Sequence, residues 1–484
     1  MDALTTLWSD TDVYQRRYEK AATALMAVVR TLQARRPLAG GEDEFLALYA
    51  DLAAADPEIF TIIWQDPYAY FWARLAYELT GWCLNPAPRP AALEKYCAAL
   101  GTDDPRRALM LHLEEFKRFL IALEMMTGRT RRFASPFATV LPLSIPGTPY
   151  SILGAGTISV IGVAGAALDV IHDGSTMRLK VDNAPPEKSA PRLVKRPVVQ
   201  QKDLEVCLKP ETFCVSTIDG ASVLLDQPDD YQQQQLPLIR QALVLVERHH
   251  PDALAHMCEL LQVIAMKPHT VGDFSNVSFS DLPGAFILSA VREPYWIADA
   301  LIHESMHNRL FFILDRGEIL EGVGDGVDTG EFYSPWRDDL RPLSGLLHAV
   351  YVHIGVSKFW FSVCRSGETS GAHREYAEDQ AVRAILHLKM GVAQLRRHAT
   401  FTARGVGLFE ELAREVDDLT AAMRALNLSP LAPGAIARGD GTIVPFAVDD
   451  AGNRITVLDS VIAHAEKYDT QRQCGDVKAL LNLA

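Results

Sequence analysis

The run His303-Glu304-Ser305-Met306-His307 constrains the chain more than any other feature, because it lies inside a segment that reads as a helix with clear ends. Pro294 suits the first turn of that helix, and Gly317 suits the turn beyond its end. Residues four apart on an α-helix are separated by about 40° around the axis and ~6 Å along it. Both imidazoles therefore leave one face and can bind a single metal ion, the HExxH geometry. Ala300, Leu310 and Leu314 fall on the same stripe, which predicts an inward-facing pair. A buried imidazole needs a partner.

The chain around this helix has the composition of a globular protein. Its 484 residues are 48% hydrophobic and 22% charged, enough for two or three domains and unlike a disordered or collagenous sequence. Lys and Arg total 47 against 61 Asp and Glu, a formal charge of −14. No broad basic face is expected for nucleic acid, and polyanions are poor substrates. Met1 to Thr5 lack the basic and apolar pattern of a secretion signal, and the seven cysteines are scattered singly, which together predict a reducing cytoplasm. The most apolar stretch, residues 152–171, is interrupted by Gly154, Gly156, Gly162 and Gly165 and carries Thr157, Ser159 and Asp169. It reads as buried strands, and no membrane partner is expected.

Periodicity divides the chain into four parts. Residues 1–130 read as a helical N-terminal region, and residues 131–228 as a strand-rich segment with strands at 158–163 and 213–218 and an exposed loop at 183–201. Residues 229–430 read as the HExxH metal-binding catalytic core. It has helices at 229–249, 251–266 and 342–364 and a strand at 285–289, with a glycine- and acid-rich loop at 317–331 as a candidate lid. Residues 431–484 read as a hairpin, 442–446 with 455–458, followed by a short helix. The expected class is α+β, predominantly helical, with the HExxH helix packed near a small mixed or antiparallel sheet. A strand directly before such a helix is the setting in which zincins carry the motif, so the helix is expected to be zincin-like.

A catalytic ion needs a third protein ligand and an open position. His348 is one candidate, with Gly345 a turn earlier to admit a neighbouring backbone, and Glu375 is another, followed by Asp379 in the manner of glutamate-ligand zincins. His353 lies about 140° round the helix from His348, so both are not expected to bind one ion. Between the motif and His348 the loop Phe332-Tyr333-Ser334-Pro335-Trp336-Arg337-Asp338-Asp339-Leu340-Arg341-Pro342 carries two arginines. A planar guanidinium suits a small carboxylate, although Asp338 and Asp339 offer either arginine a surface ion pair instead.

The run from Tyr333 to Leu343, with Gly345-Leu346-Leu347-His348 and Phe359-Trp360 after the HExxH helix, resembles the HExxH-type peptide β-hydroxylases. These are iron and α-ketoglutarate-dependent enzymes of ribosomal-peptide biosynthesis. The likeness is good from about residue 284 to 360. Leu340 and Ala349 stand where the family usually has Pro and Gly. The resemblance implies His303, His307 and His348 as Fe(II) ligands and one of Arg337 or Arg341 as the clamp on α-ketoglutarate. It also implies O2 as oxidant and a precursor peptide as partner, with the N-terminal helices a candidate for holding that peptide. Two other readings share the motif. A zinc peptidase would bind Zn(II) at the same histidines, use Glu304 as general base and accept Glu375 as third ligand. A non-catalytic peptide-binding protein would keep a degenerate metal site.

Overall fold

The computed structural model describes residues 12–35, 37–85, 93, 96–98, 100–154, 156–181, 190–213, 227–228, 230–268, 276–322, 332–437, 443–444, 455–468 and 481. The first layer holds the helices α1 (Asp12–Ala34), α2 (Glu42–Ala53), α3 (Pro57–Gln65), α4 (Pro67–Leu84), α5 (Pro105–Glu114) and α6 (Lys117–Thr127). Three begin on one local device: Asp56, Asp66 and Asp104 each precede a proline and accept a hydrogen bond from the backbone N–H two residues on, at 2.9, 2.9 and 3.0 Å. The carboxylate satisfies an orphan donor, and the proline has no N–H to satisfy. The other oxygen of Asp66 accepts from the Gly147 N–H at 2.8 Å. Gly147 has a φ of 64°, and a Cβ there would lie 2.8 Å from the Ile63 Cα, so only glycine fits this junction.

The strands that follow are β1 (Thr130–Val140), β2 (Leu143–Ser144), β3 (Tyr150–Leu153), β4 (Thr157–Ala164), β5 (Ala167–His172), β6 (Ser175–Lys180), β7 (Arg192–Lys195), β8 (Val198–Gln201) and β9 (Leu204–Leu208). Helices α7 (Tyr231–His249) and α8 (Pro251–Leu260) lead to β10 (Val263–Pro268), β11 (Val277–Ser278) and β12 (Ala285–Ala290), and then to the HExxH helix α9 (Pro294–Leu314). After it come β13 (Phe332–Tyr333), β14 (Leu340–Arg341), α10 (Leu343–Ser366), α11 (Gly371–His398), α12 (Ala403–Ala425), β15 (Ile436–Ala437), β16 (Ile443–Val444) and α13 (Val457–Glu466). The protein is α+β and mostly helical, with small antiparallel and mixed sheets.

The central sheet, in the order β11-β12-β10-β9-β8, crosses the boundary expected at 228. Its inner strands β9, β10 and β12 run parallel, while β8 and β11 are antiparallel edges. Alternate residues face two different cores. Ile264, Met266, Phe286 and Leu288 join the core of α7 to α13. Val263, Ala265, Ala285 and Ile287 join the core of α1 to α6 and the antiparallel sheet β1-β4-β5-β6. A strand buried on both faces is apolar at every position, which explains why 263–266 reads as the end of a helix in the sequence and is a strand in the fold.

Two other expectations are corrected, and a third falls mostly outside the described residues. The segment 183–201 contains β7 and β8, with Arg192 and Arg196 buried, and is not wholly an exposed loop. Arg196 is held by the buried carboxylate of Glu211, so this charge is paired inside, while Lys195 is exposed. In the expected strand 213–218, Phe213 ends a short 3-10 turn, and 214–218 lie outside the described residues. The partner of β16 is β15, while Val457 begins α13, capped by the Thr456 hydroxyl on the Asp459 N–H at 3.0 Å. Helix α10 is long and apolar enough to cross a membrane by length and hydropathy, and 72% of that window is buried within the protein. Its apolar surface belongs to the core.

His112 is fully buried in the first layer. One ring nitrogen donates to the Trp72 carbonyl at 2.9 Å and the other accepts from the Tyr96 hydroxyl at 2.6 Å. Burial lowers its pKa to about 4. The unfolded imidazole titrates near 6.5, so between these values the unfolded chain binds a proton that the fold refuses. The ring's contribution is complete above about pH 6.5 and is lost as pH falls toward 4. Unfolding of His112→Phe is expected to lose less stability than the parent between pH 7 and pH 5, by about 2 kcal/mol. Equal pH slopes in denaturant melts would contradict this account of His112.

Candidate metal centre

Helix α9 is largely apolar and buried over most of its surface, between the central sheet and α7, α8 and α10. Its amino end is capped by the Glu293 carboxylate on the Tyr295 N–H at 3.4 Å. Asn308 accepts from the Gly284 N–H at 3.0 Å and donates to the Glu304 carbonyl at 3.1 Å, which ties the motif to the start of β12. The expected stripe is corrected: Ala300 and Leu310 are buried in the core, whereas Asp299, His303 and His307 are half-buried along a crevice.

Helices α9 and α10 meet along that crevice in matched rungs. Asp299 accepts from Trp360 Nε1 at 2.6 Å. One turn on, the rings of His303 and His353 meet edge to face with centroids 5.0 Å apart. A further turn on, His307 and His348 lie 5.8 Å apart and tilted by 31°. The crossing is set elsewhere than expected. A Cβ at Gly345 would meet only the neighbouring Pro342 and Arg341 at ordinary contact, while one at Gly355 would lie 3.0 Å from Met306 Cγ and 3.3 Å from its sulfur.

His303 and His307 bring their Nε2 atoms to 3.2 Å. One ion bound by both at about 2.0–2.1 Å holds its two donor nitrogens roughly 3 Å apart, so this pair fits a transition metal. Burial, and then the neighbouring imidazoles, push the pKa values down, His303 well below the usual range and His307 to about 3. Both rings are therefore neutral lone-pair donors. His348, lowered to about 4 by burial, has its ring tilted by 52° against Phe311 at 5.6 Å. Among the described residues no three His, Cys, Asp or Glu side chains already converge on one point. His303 and His307 are the candidate ligands that already stand close together.

His353, given no role by the sequence, is a full member of the cluster. Its Nδ1 donates to the Ala349 carbonyl at 2.8 Å, which leaves the lone pair on Nε2, and its ring stacks on Trp336 at 4.7 Å. The edge of Trp336 meets His387 of α11 at 5.8 Å, in space that Gly391 leaves open. Arg383, bidentate to Asp379 at 2.9 and 3.1 Å, lowers the pKa of His387 after burial does. The spacing of Asp299, His303 and His307 signals the stripe in sequence. The residues from α11 carry no such signal.

The arginine loop is fixed by the carboxyl-terminal helix: Tyr333 donates its hydroxyl to His464 Nδ1 at 2.6 Å, and His464 donates to Asp338 at 3.0 Å. Arg337 is exposed and binds Asp339 at 2.7 Å. Arg341 is half-buried, its Nε 3.4 Å from Asp339. Both arginines thus make the surface ion pair that their neighbours offered. Glu375 lies on an exposed face of α11 and is not brought to the histidines. Glu304 is buried beside Ser278 of the edge strand β11, and burial raises it to about 7 against the opposing pull of Ser278. Residues 323–331 of the expected lid lie outside the described residues.

Gly355→Val is expected to force α9 and α10 apart at Met306, costing about 1–3 kcal/mol of stability. Adding Met306→Ala opens space for the new side chain and is expected to return part of that loss in a double-mutant cycle. Additive effects in chemical denaturation would show that this contact does not set the crossing.

A scan against protein-family models found none that matches the chain, and a search of curated proteins found no match.

Proposed function

We propose that the chain is an Fe(II)- and α-ketoglutarate-dependent dioxygenase that β-hydroxylates a side chain of a ribosomally synthesised precursor peptide. The observation that carries this reading is the pair of neutral Nε2 donors 3.2 Å apart on one helical face, with a further imidazole from α10 beside each. His348, its ring 5.8 Å from that of His307, would supply the third histidine of the set. When bound, iron with α-ketoglutarate and O2 supplies the oxidising chemistry, and succinate is the co-product.

The chain's own residues then have definite tasks. Arg341 is the better of the two arginines for the co-substrate's distal carboxylate, because it is half-buried where Arg337 is exposed and it stands two residues before α10. Trp336 and Phe311 flank the imidazoles with apolar surface and limit water near the oxidant. Glu304, protonated for much of the time near neutrality, supports α9 and has no obligatory proton to move. A zincin-like arrangement, with the HExxH helix against the antiparallel edge strand β11, belongs to the same proposal. So does a cytoplasmic location, which the free thiols of Cys83, Cys97, Cys207, Cys258 and Cys364 suit.

The zinc peptidase reading draws on one observation, the near-neutral Glu304 one residue from His303. The two are separated by anaerobic loading with Fe(II), followed by α-ketoglutarate, O2 and a candidate precursor peptide. Succinate and a peptide heavier by one oxygen atom are expected, and Arg341→Ala is expected to raise the KM for α-ketoglutarate about tenfold or more, Arg337→Ala much less. Peptide fragments formed with Zn(II) and no keto acid would replace this proposal with hydrolysis. Peptide binding that survives loss of both His303 and His307, with no metal bound by the parent, would leave only a binding protein.

A further inference from the structure

Asp299 stands one turn before His303 on the crevice side of α9, about 6 Å along the helix axis. Its Oδ2 accepts from Trp360 Nε1 at 2.6 Å, and among the described residues it has no other hydrogen bond and no ion pair. Oδ1, without a partner, keeps accessible surface in this half-buried residue. Burial lifts the carboxyl to about 6, opposed by the Trp360 hydrogen bond and by no neighbouring cation. Aromatic rings stand around it. Trp296, three residues earlier and so beside Asp299 on the helix surface, is half-buried. Tyr376 of α11, also half-buried, closes the group with its ring 5.7 Å from Trp296 and 5.6 Å from Trp360.

The charges nearby are matched without Asp299. Arg383 is bidentate on Asp379, Arg374 binds Glu378 at 2.8 Å, and Glu293 meets His373 at 3.0 Å. The Tyr376 hydroxyl therefore feels the negative charges of Asp299, Asp379 and Glu293 against the positive charge of Arg383. A carboxylate without a counter-ion, beside rings whose faces are themselves negative, favours an organic cation over an anion or a neutral group. We propose that Asp299, Trp296 and Tyr376 form a subsite for a cationic side chain of the substrate peptide, a lysine or arginine close to the residue that the histidine pair addresses. The peptide rests on the function proposed above, and the cation rests on the crevice alone.

The probes are pentylammonium and butylguanidinium, titrated into the metal-free full chain and followed by tryptophan fluorescence, with 1-pentanol as the neutral control. Saturable binding of at least one cation is expected, about tenfold or more tighter than the alcohol, and the tighter of the two assigns lysine or arginine. Asp299→Asn keeps an acceptor for Trp360 while removing the charge, and is expected to weaken binding about tenfold or more. Tyr376→Leu removes an aromatic wall without touching Asp299 and is expected to weaken it about threefold. Acetyl-Gly-Lys-Gly-amide is expected to bind more tightly than Gly-norleucine-Gly-amide with a free amino end; the reverse order would assign the cation to a peptide terminus and overturn the side-chain subsite. No saturable change with either cation, or affinity unchanged in Asp299→Asn, overturns it whether or not the chain hydroxylates a peptide. Binding that disappears on loading with Zn(II) would make Asp299 a metal ligand and overturns it too. Cation binding that passes these tests while no peptide is oxidised leaves the subsite standing and removes only the reaction.

Discussion

The approach of α9 to α10 at Met306 and Gly355 governs the geometry of everything beside it. Met306 lies inside the HExxH run, so its contact fixes how far the two imidazoles of that helix stand from those of α10. The rungs of Asp299 with Trp360, His303 with His353 and His307 with His348 follow from one antiparallel crossing. Closely packed helices hold such spacings because an interior at crystal-like density resists small displacements.

Burial supplies the second condition for a metal site, the neutral imidazole. Desolvation disfavours the imidazolium, and each ring makes its neighbours harder to protonate. The four imidazoles of His303, His307, His348 and His353 together form a concentration of lone pairs. The same burial that disfavours protons favours a soft, imidazole-seeking cation.

How far the sequence disclosed this depends on whether the informative contact was local. The ends of α9, its motif and the flanking strand β12 were legible because caps, periodicity and the i, i+4 spacing all lie within one segment. The Asp-Pro starts at Asp56, Asp66 and Asp104 were equally local, and the chain states them openly. By contrast, β10 resembled the continuation of α8, since a strand covered on both faces has lost its alternation. His353, His387 and Arg383 join the crevice through tertiary packing of α10 and α11, which no spacing within one helix announces. The arginine loop was visible as a motif, while its tether to His464 in α13 was not.

The sheet β11-β12-β10-β9-β8 has a consequence for how the chain can be divided or inherited. Because Val263, Ala265, Ala285 and Ile287 close one core while their immediate neighbours close the other, neither half keeps a sealed interior without its counterpart. A shuffled or shortened descendant that dropped α1 to α6 would carry a sheet wet on one side, directly behind the helix that holds the histidines. The two halves are therefore bound to be gained, kept or lost as one heritable unit.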